Sequence, residues 1–483
     1  MVLSELIGTA PDATLSGPGD PEITSLAYDS RRVRGGTLFF CVPGHASDGH
    51  DFAPAAVEAG AAALVAEREL DLPVPQAIVA DARAAMAPLA ARFFGDPTAD
   101  LSVAGITGTN GKTTTAFLLR EILESAGRRC GLLGTVKRVV GGVEEDVERT
   151  TPEAIDLQET FRRMADAGDA ACVMEVSSHA LVLHRADGIN FAVTLFTNLT
   201  QDHLDFHADM DDYFLAKRRL FEIAVGVPAI VNVDDPYGRR LADDFDCITF
   251  SADGAAADYS ARDVSFDAAG SSFRVEVGGE GVAVRTPLPG RFNVANALGA
   301  MAAAVSLGVP LETAAGALEG ARRVPGRFEP IDEGQGFAVL VDYAHTPDSL
   351  ENVLRAARPL TQGRLISVFG AGGDRDRAKR PKMGRAGAEG SDVAIVTSDN
   401  PRSERPEAII EEIVAGIPQG SEVQVEVDRR RAIAIAIAMA EPGDTVVIAG
   451  KGHEQGQEFE GGRKLPFDDR DVAREALRAS AVR

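Results

Sequence analysis

Tryptophan is absent, which excludes only intrinsic tryptophan fluorescence, and aromatic residues make up 6% of the 483-residue chain. Basic residues are in short supply: 49 Lys and Arg stand against 73 Asp and Glu, a formal net charge of −24. No sequence-independent grip on nucleic acid is expected from so acidic a chain. Any phosphate site must be local, built from backbone amides and placed Lys or Arg. The four cysteines, Cys41, Cys130, Cys172 and Cys247, are scattered and form no C-x-x-C. That excludes a disulfide framework or zinc site and suits a reducing cytoplasm. No apolar run reaches the ~18 residues of a membrane helix. The N-terminus has no basic-then-apolar pattern, so neither a membrane span nor a signal peptide is expected. There is no internal repeat or low-complexity tract. What remains is ordinary globular composition, 45% hydrophobic and 25% charged, in a chain long enough for two to four domains.

One stretch organises the rest: Gly105-Ile-Thr-Gly-Thr-Asn-Gly-Lys-Thr-Thr-Thr115. Leu101 to Ile106 is β-branched and apolar, a buried strand. Phe117, Leu118, Leu119, Ile122 and Leu123 then recur at helical spacing up to Gly127, a C-cap. A glycine-rich turn between strand and helix aims backbone N–H groups and a helix N-terminus into one hollow, which suits a polyphosphate. The turn is therefore read as a P-loop, with Lys112 reaching the β- and γ-phosphates and the Thr113 hydroxyl on Mg²⁺.

The spacing predicts α/β architecture in three domains. Residues 1–98 form a small α/β N-terminal domain, with a strand in 35–42, a helix from Ala53, a strand at 61–66 and a linker at 95–100. Residues 99–327 form a central P-loop mononucleotide-binding parallel sheet with a small antiparallel insert near 255–284. Glu175 ends one of its strands, His203 sits in a polar loop, and Lys217 lies on the helix 211–221. Residues 328–483 form a C-terminal Rossmann-like α/β domain. There Ala338–Val341, Leu365–Phe369, Val393–Val396 and Val446–Ala449 each run into a polar cluster at the strand's carboxyl end, the edge where such sheets bind ligands. Taken alone, Lys217 reads as a salt-bridged surface lysine beside Arg218 and Arg219.

The motifs carry a resemblance. Gly108-Thr-Asn-Gly-Lys-Thr-Thr114 is similar to the nucleotide loop of the Mur ligases and folylpolyglutamate synthetases. Five further stretches resemble the tripeptide synthetases of the Mur ligase family and are not expected in folylpolyglutamate synthetases. They are Met174-Glu-Val-Ser-Ser-His179, Asn198-Leu-Thr-Gln-Asp-His-Leu-Asp205, Asp342-Tyr-Ala-His-Thr-Pro347, Phe369-Gly-Ala-Gly-Gly-Asp-Arg-Asp376 and Ala449-Gly-Lys-Gly-His-Glu454. The resemblance spans all three domains.

It implies ATP-dependent addition of an amino acid to the D-glutamate of UDP-N-acetylmuramoyl-L-alanyl-D-glutamate through an acyl phosphate, in peptidoglycan precursor synthesis. Gly108, Thr109, Asn110, Gly111, Lys112, Thr113, Thr114, Asn296, Arg327 and Asp342 would hold the nucleotide. Thr113 and Glu175 would hold one Mg²⁺, and His203 with Lys217 a second, Lys217 being carbamylated by CO₂. Lys112, Lys217, His203 and Glu175 would then be the catalytic set. Carbamylation needs the neutral amine, so a pKa near ~10.4 must drop, through burial or a neighbouring metal. Ser30, His45, Ala46 and Ser47 would hold the uridine part, and Thr150, Thr151, Ser177 and Arg185 the muramoyl-dipeptide. Leu183 and Arg149 depart from the glutamine and asparagine of some relatives. Asp399-Asn400-Pro401-Arg402 matches the meso-diaminopimelate form of the motif. Diaminopimelate has a second carboxylate that lysine lacks, and Arg402 can meet it with a charge-assisted pair. Arg375, Gly450 and Glu454 would complete that pocket, Glu454 facing an ammonium. A cytoplasmic monomer without nucleic-acid or membrane partners is expected. The alternatives are a lysine-adding synthetase, a folylpolyglutamate-type polymerising ligase, or a nucleotide-binding module without ligation.

Overall fold

The structure is a computed structural model describing residues 1–481 apart from 9, 11, 45, 46, 148 and 268. Two compact units emerge: residues 1–107, 127–194 and 216–228 form one, and residues 108–126, 195–215 and 229–483 the other.

In the first unit a five-stranded sheet runs in the order Thr14–Ser16, Gln76–Ile78, Ala61–Ala66, Thr37–Phe40, Ser25–Ala27. Its pairings are parallel except at the Thr14–Ser16 edge. Alternate residues of one strand serve opposite cores. Leu38 and Phe40 pack with Met86 and Leu89 of the helix Ala82–Phe93, while Phe39 packs with Ala53 and Ala56 of the helix Ala53–Glu58. A strand covered on both faces must be apolar throughout, hence the unbroken Leu-Phe-Phe run. The same unit holds the parallel strands Cys130–Leu133, Ala171–Glu175 and Ser102–Thr107, with Ala171–Glu175 in the middle. The expected linker at 95–100 is instead an ordered turn: Pro97 and Thr98 are buried, and the Thr98 hydroxyl accepts from the Asn190 amide at 3.0 Å. Cys41, Cys130 and Cys172 are buried and form no disulfide among the described residues.

In the second unit, Tyr259–Asp267, Gly270–Val277 and Glu280–Thr286 form the expected antiparallel insert. A six-stranded sheet runs Glu329–Pro330, Ala338–Asp342, Thr445–Ala449, Leu365–Phe369, Val393–Val396, Val423–Val425. All its pairs are parallel except the first. Leu365 and Phe369 face Leu350, Met383 and Ile410 on one side; Ile366 and Val368 face Ile433, Ile437 and Leu477 on the other. Helices on both faces leave the carboxyl edge as the open end, and all four polar clusters emerge there. None of the described helices is long and apolar enough to cross a membrane.

Arg429 and Asp469 have fully buried side chains. The Arg429 Nε and Nη2 donate to the two Asp469 carboxylate oxygens at 2.8 and 2.7 Å, and Nη2 also to the Ala449 carbonyl at 3.0 Å. Removing one partner leaves a buried charge unpaired. Asp469→Ala should therefore lower stability by about 3–5 kcal/mol, read as a drop in the urea midpoint; an unchanged midpoint would refute the assignment.

Candidate active site

The glycine loop lies in the second unit and is held by residues 197–200. The Thr109 amide donates to the Asn198 carbonyl at 2.9 Å and the Asn110 amide to the Asn198 side chain at 2.9 Å. The Thr197 hydroxyl donates to the Asn110 carbonyl at 2.6 Å. Gly111 has φ +87°, and a Cβ there would sit 2.4 Å from the Asn296 side-chain oxygen. A Cβ on Gly108 would meet the Thr197 hydroxyl at 1.9 Å. Gly105 is a different case. It precedes Gly111 by six positions rather than the five of Gly-x₄-Gly-Lys-Thr, and it lies inside the strand Ser102–Thr107. The turn proper is Gly108-Thr-Asn-Gly111.

The helix Lys112–Ser125 starts without a side-chain cap among the described residues, and a helix N-terminus favours an anion. The Lys112 ammonium curls over the loop, 2.8 Å from both the Gly108 and Thr109 carbonyls. Arg327 donates to the Thr113 hydroxyl at 3.3 Å and stacks over the Tyr343 ring. Asp342 is buried and accepts from the Phe328 and Ala344 amides at 2.6 and 2.8 Å. Burial pushes its carboxyl up, while Arg327 and those amides pull it back only in part. It orders the backbone beside Arg327. The expected nucleotide set 108–114, Asn296, Arg327 and Asp342 thus belongs to one unit.

His203 adjoins a cluster that sequence reasoning missed. Asp202 is buried and meets Lys379 at 3.3 Å, His203 at 3.5 Å and His345 at 3.6 Å. Burial pushes its carboxyl up, but Lys379, His203 and His345 more than offset this and hold it well below the carboxylate range. The cluster ties the loop 198–205 to the six-stranded sheet. Its only sequence signal was the acidic flank of His203.

In the first unit, Glu175 is buried at its strand end, accepting from the Thr135 amide at 2.9 Å and hydroxyl at 3.0 Å. Thr151 donates to the Glu175 carbonyl at 2.9 Å, and Ser177 caps the helix Ser178–Val182. Arg185 donates to the Thr151 carbonyl at 3.1 Å and pairs with Glu153 at 2.8 Å. Glu153 also receives Arg83 and Arg149, at 3.1 and 3.0 Å. The departing residue Arg149 is therefore part of the Arg185 environment, whereas Leu183 is only half-buried and caps a helix. Ser30 opens a short turn joined to the helix Ala154–Ala167 by Tyr28 and Arg32, both bonded to Asp156. Ser47 accepts from the Gly44 amide; His45 and Ala46 lie outside the described residues. Lys217 differs from its reading in isolation. Its residue is 1% exposed, while its neighbours Arg218 and Arg219 pair with Glu222 and Asp187.

No group of three or more His, Cys, Asp or Glu poised for a metal is found among the described residues. Two of the donors expected for Mg²⁺ nonetheless suit a hard cation, the Thr113 hydroxyl and the oriented Glu175 carboxylate. Thr113 and His203 belong to one unit, Glu175 and Lys217 to the other.

The loop Asp399-Asn-Pro-Arg402 lies at the sheet's carboxyl edge. Arg402 has φ +50°, donates from Nε to Glu458 at 3.0 Å and from Nη1 to the Gly373 carbonyl at 2.8 Å. Asn400 donates to Glu454 at 2.9 Å. Lys451 is fully buried and donates to Asn400 and Glu454, at 2.8 and 2.9 Å. Lys451 is thus one ammonium that Glu454 faces. Gly450 has φ +130° and a Cβ there would touch Asp399 at 2.5 Å. Among the described residues Arg375 donates only to the Asp374 carbonyl, at 2.8 Å. Below the loop, fully buried Arg380 grips Glu404 and Glu412.

Two measurements probe this scaffold. Gly111→Ala should weaken ADP binding by at least about tenfold in calorimetry, since it adds strain and a clash under the loop; wild-type affinity would contradict the role given to Asn296. Hydrogen bonds from Arg380 depress the Glu404 carboxyl from 4.5 to about 2. A depressed carboxylate stabilises above its unfolded pKa and loses that stabilisation as pH falls toward its folded one. Glu404→Gln should therefore lower the urea midpoint at about pH 6, and the gap to wild type should narrow from about pH 4.5 and close as pH falls through about 2.

Comparison with known proteins matches this geometry. Profiles described as Mur ligase family, catalytic domain, Mur ligase middle domain, and Mur ligase, glutamate ligase domain match residues 22–93, 106–304 and 326–452. A Syntrophomonas wolfei protein named UDP-N-acetylmuramoyl-L-alanyl-D-glutamate--2,6-diaminopimelate ligase is 47% identical, covering 99% of both chains. One of the same name from Streptomyces coelicolor is 48% identical, covering 99% of this chain and 96% of its own. A solved structure of an enzyme so named superposes with TM-score 0.68 at 34% identity, covering 95% of each chain. The architecture is the three-domain α/β one, and the chain belongs to the Mur ligase family.

Proposed function

We propose that this ATP-dependent ligase joins meso-2,6-diaminopimelate to the D-glutamate of UDP-N-acetylmuramoyl-L-alanyl-D-glutamate in peptidoglycan precursor synthesis. The observation that carries it is Arg402, held at the open edge of the sheet in the Asp399-Asn-Pro-Arg402 loop. A lysine side chain offers that guanidinium only another cation. Diaminopimelate offers a carboxylate.

Amide formation from a carboxylate needs activation. The D-glutamate side-chain carboxylate takes the γ-phosphoryl group of ATP, the incoming amine attacks the acyl phosphate, and phosphate leaves. Lys112 and the amides at the start of its helix hold the phosphates, and Arg327 and Asn296 border the nucleotide. Two magnesium ions, when bound, would neutralise the anions being brought together. We assign Thr113 and Glu175 to one, and His203 with carbamylated Lys217 to the other. Burial of Lys217 supports that assignment, because it removes the side chain from the solvated surface role its local sequence suggests. Thr150, Thr151, Ser177 and Arg185 are assigned to the muramoyl-dipeptide, and Ser30, His45, Ala46 and Ser47 to the uridine end. Asp399, Asn400, Pro401, Gly450, Arg375 and Glu454 are assigned to the amino-acid pocket. We place the domain boundaries at 98 and 327, and the protein in the cytoplasm as a monomer.

Incubation with the UDP-muramoyl-dipeptide, ATP, Mg²⁺ and single amino acids, read by product mass, should give one addition with diaminopimelate and none with lysine. Repeated addition would point to a polymerising ligase, and ATP hydrolysis without product to a nucleotide-binding module. Arg402→Ala should cut the preference for diaminopimelate over lysine by about tenfold to a hundredfold, the size of one or two charge-assisted hydrogen bonds. Full discrimination in the variant would remove Arg402 from the pocket.

A further inference from the structure

The glycine loop is held at Asn110 by more than its backbone. The Asn110 amide donates to the Asn198 side chain, and its carbonyl accepts from the Thr197 hydroxyl at 2.6 Å and from the Asn198 side chain at 3.1 Å. The Asn110 side-chain nitrogen donates to Asp348 at 2.9 Å and to the Thr200 hydroxyl at 3.3 Å. Asp348 stands 238 positions further along the chain, in the first turn of the helix Pro347–Ala357. Both residues belong to the second unit. Asn110 precedes Gly111, whose φ of +87° leads the chain into the helix Lys112–Ser125. A rotated Asn110 peptide would swing the amides at that helix start away from a bound phosphate.

An aspartate in a first turn has an ordinary explanation, since the helix dipole favours an anion there. Asp348 does not fit it. Its helix is already capped: the Thr346 hydroxyl accepts from the Ser349 amide at 3.2 Å, and the Ser349 hydroxyl from the Thr346 amide at 3.0 Å. An anion serving only the dipole also stays in water, whereas Asp348 is half-buried. Burial raises its carboxyl, and bonds from Asn110, Asn352 and Thr200 pull it back only in part. Its charge in turn raises Asp235, the N-cap of the helix Pro236–Asp244, whose carboxylate accepts from the Leu199 amide at 3.1 Å. Burying a carboxylate is unfavourable unless it is hydrogen-bonded. The largest of the pulls that offset the burial of Asp348 comes from the glycine loop itself.

We propose that Asp348 is a positioning residue for ATP: through the Asn110 side chain it locks the glycine loop in the form that grips the polyphosphate. This rests on the glycine loop being the nucleotide site and adds to it one residue outside the motif. Residues 197 and 198 fix the Asn110 backbone and Asp348 fixes its side chain, so the residue before Gly111 is held from two directions. A loop ordered before the nucleotide arrives loses little binding free energy to its own ordering.

The test titrates the full-length protein and its variants with ADP and Mg²⁺ in a calorimeter. Asp348→Ala should weaken ADP binding by about tenfold, the size of a hydrogen bond to a charged group, and Asn110→Ala by at least as much. Because both remove the same bond, the double variant should bind about as weakly as Asn110→Ala alone. Losses that multiply to about a hundredfold would show Asp348 acting by another route and would overturn the inference. Wild-type affinity in Asp348→Ala would overturn it too. Asp348→Asn keeps an oxygen that can accept from Asn110 and should retain most of the affinity; a loss as large as that of Asp348→Ala would rule out the bond as the cause. Thermal unfolding of each variant separates loss of fold from loss of grip, and Asp348→Asn keeps the test decisive if Asp348→Ala does not fold. A wild type that binds no ADP would sink the nucleotide site itself, a different result from losses that multiply.

Discussion

A guanidinium sealed from water must find its counter-charge inside the protein, and Arg429 finds it in Asp469. Desolvating either ion alone would cost several kcal/mol. Together they bind the carboxyl end of the strand Thr445–Ala449 to the helices on its face. The rest of this carboxyl edge is built outward from this pair. Arg429 and Lys451 supply the positive potential that keeps buried Asp399 ionised. Lys451 in turn orders Asn400 and Glu454, and the strand Gly456–Glu458 carries the hydrogen bonds that set Arg402. The cationic centre at this edge is enclosed and balanced.

The same logic governs Asp202 and Arg380. Each buried ion has partners on more than one segment, so the pairs fasten loops as well as neutralise charge. Asp202 meets Lys379 at the start of the helix Lys379–Gly390 and His345 in the loop after the strand Ala338–Asp342, and Arg380 grips Glu404 just past Arg402. Such fastening suits phosphoryl transfer, where catalysis is largely a matter of placing anions and holding their counter-charges still. Lys217 and Glu175 are likewise buried, so a lysine on a helix with arginine neighbours is not the solvated side chain that its local sequence suggests.

The secondary structure was legible because it is local. The strand 61–66 and the helix behind Gly111 follow from apolar spacing and from glycine positions that only a left-handed backbone needs. The carboxyl-edge clusters followed from a topological rule rather than from any contact. The segment 95–100 was misjudged. Gly, Asp and Pro mark a turn whether it is solvated or packed, and here Thr98 is packed.

By itself the sequence determined the α/β architecture, the glycine loop and the identity of the loop that ends in Arg402, since each depends on residues adjacent in the chain. Only the tertiary structure decided which charges are matched. Lys451 pairs with Glu454, Glu458 stands beside Arg402 from 56 positions away, and Glu153 gathers Arg83, Arg149 and Arg185. Burial is what turns such pairs from incidental into obligatory, and burial is a property of the packed chain that no stretch of sequence carries.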